Sequence, residues 1–143
     1  MTSTSSARQP YQYVVLRCVP RVEREEFVNV GVVLHCPAAD FLGSASRVDD
    51  ARIEALAPGF DVDGLRSALA AVEAVCRGEA HAAYAAALRA TAYGTREAAD
   101  TPGTRFGLLK APRSTVLQPG PVHGGVTADP ARTLQHLLER LVG

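Results

Sequence analysis

The chain has 143 residues, 47% of them apolar, and its 15 basic and 15 acidic side chains leave a formal net charge of zero. That length suits one domain burying roughly 68–70% of its unfolded surface, which needs no metal or disulfide staple, and the composition is globular, not disordered. With no net charge there is no long-range field to gather nucleic acid or anionic lipid, and no apolar run approaches the ~18 residues of a membrane span.

Residues 1–9 are Ser/Thr-rich and read as a disordered tail, leaving 10–143 as a single domain. MTSTSSARQP lacks the apolar stretch of a secretory signal, so a cytoplasmic protein is expected. Residues 11–19 are β-branched and aromatic, hence a strand. A charged connection over 20–26 leads to the strongest strand, 27–36, and a third strand is expected over 41–48 after a turn at 37–40. The three form an antiparallel meander. Residues 49–56 give one or two helical turns ending at Pro58-Gly59. Asp61 or Asp63 then caps a helix to about Arg77, with Gly78 as its stop and Leu65, Ala68, Leu69, Val72 and Cys76 as its stripe. Glu73 and Arg77 form a favourable i,i+4 pair. Residues 79–93 read as an alanine-rich helix, 94–104 as a loop, and 105–111 as a segment packed on the sheet through Phe106, Leu108 and Leu109. A fourth strand is expected over 114–117, stopped by Pro119 and Pro121, and 118–125 reads as a structural loop. Asp129-Pro130 opens the last helix, whose stripe is Leu134, Leu137, Leu138 and Leu141. The expected fold is α+β: a mostly antiparallel sheet of about four strands with helices on one face, in two layers.

Strand alternation sorts the residues that could carry chemistry. Val28, Val30, Val32, Leu34 and Cys36 should face one way, and Phe27, Asn29, Gly31, Val33 and His35 the other. If Tyr11, Tyr13, Val15 and Arg17 share the second face, then Tyr13, Arg17, Asn29 and His35 lie opposite the main core. Gly31 there would leave room for something to approach the backbone. The alternative is a partly solvated face on which Arg17 only snorkels. Arg113, Ser114 and Gln118 could converge on Arg17 and Asn29, and two arginines with amide and hydroxyl groups suit a carboxylate or phosphate. Against this, Arg113 could pair with Glu23, Glu25 or Glu26.

Other chemistries have less to support them. QPGPVHGG, with His123, runs toward the last helix, but Asp129 would repel an anion at that terminus, and no phosphate-binding glycine motif is present. Ser114 lacks a G-x-S-x-G context. His35 and Cys36 are strand neighbours and point apart, so they are no dyad. His35, His81, His123 and His136 lack metal-ligand spacing, and the glutamates at 23, 25 and 26 read as a charged hairpin tip. Neither a metal nor a cofactor is expected, and enzymatic activity is left open. The three cysteines form no CxxC. If Arg17 opposes Asn29, Cys36 stands eight residues past the partner of Cys18, roughly 26 Å at ~3.3 Å per residue. That is too far for a disulfide, and three buried thiols are expected.

YVVLRCVPRVEREEFVNVGVVLHCP, FGLLKAPRSTVLQPGPVHGG and DPARTLQHLLERL together resemble the bacterial family catalogued as domain of unknown function 3037, over about residues 11–142. The resemblance implies a small cytosolic bacterial protein with no assigned reaction. Its polar positions map to Glu26, Asn29, Arg113, Ser114 and Gln118. Members are often encoded beside a kinase-like protein similar to the HipA toxins, which implies an accessory or regulatory role. The leading expectation is therefore a non-catalytic partner of another protein, such as a HipA-like kinase. The alternative is an enzyme or ligand-binding domain for a small carboxylate or phosphate. Nucleic-acid binding ranks last, because the four Tyr and four Phe are needed by the core. The oligomeric state is open.

Overall fold

Residues rich in Val, Tyr and Leu with few breakers form β1 (Gln9–Cys18) and β2 (Val28–Cys36) in the computed structural model, which describes residues 7–79, 100–111 and 115–143. The helix expected over 79–93 falls outside these residues apart from Glu79, and so do Arg113 and Ser114. β3 (Phe41–Ser46) follows a 3-10 turn at Pro37–Ala39, and all three strands pair antiparallel in the order β3-β2-β1. The outer edge of β1 carries two further antiparallel strands, β4 (Leu117–Pro119) and β5 (His123–Thr127). Leu16 opposes Pro119 and Tyr13 opposes His123. The outer chain thus advances one residue more than β1 between these pairs, so β4 and β5 behave as one strand broken by a bulge at the Gly120-Pro121 step.

The expected fourth strand is therefore displaced, and the expected loop over 118–125 contributes β5. Without β5, the first half of β1 would have unpaired backbone groups on its outer edge. Gly125 makes the pairing possible, because a Cβ there would lie 2.6 Å from the Tyr11 hydroxyl oxygen. β1 itself begins at Gln9, inside the segment expected to be tail.

Register at the hairpin end is the expected one, with Arg17 opposite Asn29 and Cys18 opposite Val28. One residue further, Leu16 opposes Gly31, so Val30 has no partner and forms a bulge. Past the bulge the faces exchange. Val28, Val30 and Val33 join one core with Val14, Leu16 and Cys18, while Val32, Leu34 and Cys36 join another. The simple alternation expected for β2 breaks at that point.

Both cores are capped by helices. α1 (Asp50–Leu56), α2 (Val62–Cys76) and α3 (Pro102–Lys110) bring Ile53, Leu65, Leu69, Val72, Phe106 and Leu109 to the first. α4 (Pro130–Leu141) covers the second with Leu134, Leu137 and Leu138, lying over β2 and β3. The α+β class and the antiparallel sheet are as expected, but helices on one face are not. β2 is apolar on both faces (Val32, Val33, Leu34), so each face must be buried.

Local signals explain the helix limits. Asp49, Asp61 and Asp129 cap α1, α2 and α4 by accepting backbone N–H bonds, and Gly78 beyond α2 has φ +81°. Glu73 pairs with Arg77 at 2.6 Å, as expected. The TPGT stretch expected as loop is instead the start of α3: Thr101 and Thr104 cap each other and Pro102 occupies the first turn. Among the described residues no helix is long and apolar enough to cross a membrane.

Candidate functional site

Arg17 is the middle of a row of three polar residues crossing the sheet, with Asn29 opposite on β2 and Gln118 opposite on β4. All three lie on the α4 side, because their neighbours Leu16, Cys18 and Leu117 pack into the other core. α4 covers β2 and β3 but leaves this part of the face open. The chain entering β2 adds Phe27, whose ring lies 4.3 Å from the Arg17 guanidinium carbon. Gly120 closes in as well: a Cβ there would be 3.2 Å from Cζ, Nε and Nη2 of Arg17. The guanidinium is thus fixed by packing, and its Nε is buried without a hydrogen-bond partner.

Around it runs a groove of about 420 Å³ lined by Arg17, Val19, Val22, Glu23, Glu25, Phe27 and Gln118. A 3-10 turn at Val22–Arg24 forms one wall and ends at Glu25, which adopts the left-handed conformation at φ 58°. Phe27 and Val22 remain 46% and 38% exposed, a large share for apolar side chains. The Nε2 of Gln118 donates to the Thr115 carbonyl at 2.6 Å, which fixes the amide at the groove's edge.

The other candidates are elsewhere or otherwise engaged. Asn29 neighbours Arg17, but its Nδ2 donates to the Leu141 carbonyl at 3.1 Å and so closes the end of α4. Glu26 is exposed and pairs with Arg24 at 2.9 Å, a surface pair of small energetic weight. His35 was expected beside Arg17 and is not there. The Val30 bulge turns it to the opposite face, where its ring lies 5.2 Å from that of Phe106 on α3. Burial and, next, the Lys110 charge lower its pKa. His123 does share the face of Arg17, stacked 5.3 Å from Tyr13. It stands four β1 residues away, about 13 Å along the strand. Gly31 admits no ligand, since the space above it is taken by the Ala45 carbonyl and Leu16.

Three contributors were not singled out from the sequence: Phe27, Val22 and Gly120. Phe27 had a usable signal, being an aromatic residue of the same strand parity as Asn29 at the edge of a charged connection. Gly120 had none, because its role depends on a strand pairing that two prolines disguise. A second hollow of about 200 Å³ lies on the other face and is apolar apart from Thr115. Among the described residues no three His, Cys, Asp or Glu side chains are grouped as a metal site requires.

Fold and site together define an α+β protein whose antiparallel sheet is covered by helices on both faces and carries a fixed cation in an open groove. The chain belongs to the family of proteins of unknown function DUF3037, whose model matches residues 13–142. No curated protein and no solved structure matches it.

Proposed function

We propose that this protein is a non-catalytic partner of another protein and docks it through the Arg17 groove. One observation carries this reading. The Arg17 guanidinium is held against Phe27 beside exposed Val22, with no acidic partner among the described residues. Arginine and aromatic side chains are the groups enriched at protein interfaces and their energetic centres. The resemblance seen in the sequence makes a HipA-like kinase the first partner to try. In the test, that kinase and the tagged protein are co-expressed and captured, with Arg17→Glu and Phe27→Ala as comparisons. The expected result is stoichiometric capture by the wild type and loss with either variant, at unchanged circular dichroism. Capture that ignores both substitutions would overturn the assignment of the groove.

A second reading, a site for a small carboxylate or phosphate, is favoured by the unfilled Nε of Arg17. It loses weight because Asn29 is committed to α4 and two glutamates line the same groove. Turnover of a small acid by the purified chain, abolished by Arg17→Gln, would establish it over the first.

A further inference from the structure

We infer that the segment received by the groove carries an acidic side chain for Arg17 and an adjacent basic one for Glu23 and Glu25. The inference rests on the docking reading and specifies its chemistry. Two features of the groove carry it.

The first is the state of Arg17. Its guanidinium is immobilised by Phe27 and Gly120, so little rotamer freedom remains to be lost on binding. Its buried Nε has no acceptor, and an unfilled buried donor is an unfavourable state that an incoming oxygen relieves. A carboxylate suits it best, because the guanidinium presents parallel N–H groups at matching spacing.

The second is the sign of the rim. Glu23 and Glu25 line the same groove and form no ion pair among the described residues. One cation and two carboxylates repel a free anion on balance, which argues against a small acid or phosphate as the occupant. A segment with neighbouring charges of both signs matches the groove at each point. Glu25 also holds its place at a conformational disadvantage: φ 58° suits glycine better than a side chain. The hairpin would close as well or better with glycine there, so the retained carboxylate has a use outside the fold.

Nuclear magnetic resonance on the full ¹⁵N-labelled chain tests this through the Arg17 Nε–H signal. The probes are the blocked peptide acetyl-Ala-Lys-Glu-Ala-amide, its analogues with Gln for Glu and Gln for Lys, sodium acetate and inorganic phosphate. The Lys-Glu peptide should shift the signal. The Gln-for-Glu analogue should bind roughly tenfold more weakly, and the Gln-for-Lys analogue roughly two- to fivefold. Glu25→Gly should abolish the preference for lysine while keeping or raising the Tm. Gly120→Ala, which crowds only the Arg17 side chain, should weaken the Lys-Glu peptide and leave the fold intact. Equal binding of all three peptides would overturn the inference, as would acetate or phosphate matching the Lys-Glu peptide. If the peptides fail but partner capture still depends on Arg17, the inference falls and the docking reading stands. If the peptide preference holds but no capture depends on Arg17, the chemistry stands and the docking reading falls.

Discussion

His35 illustrates how one residue's surroundings set its proton affinity. Burial against α3 and then the neighbouring Lys110 charge lower its pKa below the usual 6.5. The unfolded chain therefore binds more protons than the folded one in that range. Its contribution to stability is complete above the unfolded pKa and is lost as pH falls through the folded value. The urea midpoint should thus drop between about pH 7.5 and about pH 5, and His35→Gln should narrow the drop. An identical drop in both proteins would assign the loss to other groups. At this scale the sequence was only partly legible. The Arg17–Asn29 pairing followed from hairpin geometry, and Gln118 from its parity with an adjacent strand. What Asn29 does with its amide was hidden, because its acceptor, Leu141, is 112 residues away. Arg113 and Ser114 lie outside the described residues.

Among the elements, β2 departs furthest from expectation, and a single residue is responsible. Valine can stand on either side of a strand buried on both faces, so nothing in VNVGVVL marks Val30 as the extra residue. Helix ends were far more legible, since Asp49, Asp61, Asp129 and Gly78 act locally. The bulge leads to a definite prediction at Gly31. A Cβ there would meet the Ala45 carbonyl oxygen at 3.0 Å and the Leu16 side chain at 3.4 Å. Both neighbours belong to buried strands with no room to yield, so Gly31→Ala should cost ~1–3 kcal/mol in a denaturant titration. A stability within a few tenths of the wild type would mean that β3 shifts freely and the bulge is not rigid.

At the level of the whole molecule, two separate cores share one sheet, and their presence explains the state of the cysteines. Cys18 and Cys76 lie in the first core and Cys36 in the second, all buried and none bonded to another. Burial raises the Cys18 thiol and pushes Cys76 up to about 11, which removes the reactive thiolate near neutrality. Ellman's reagent should find no fast-reacting thiol in the native protein and three after guanidinium unfolding. A thiol that titrates natively would reveal local opening of one core. The interrupted outer strand has a consequence of a different kind. A sheet edge is a template on which identical chains can polymerise, and this one lies beside exposed Val122 and Val126. Pro119 and Pro121 have no amide hydrogen to offer an incoming strand, and the step between them breaks the repeat such a strand would have to follow. The same Pro-Gly-Pro step that rests against Arg17 therefore guards the molecule against fibre growth from that side.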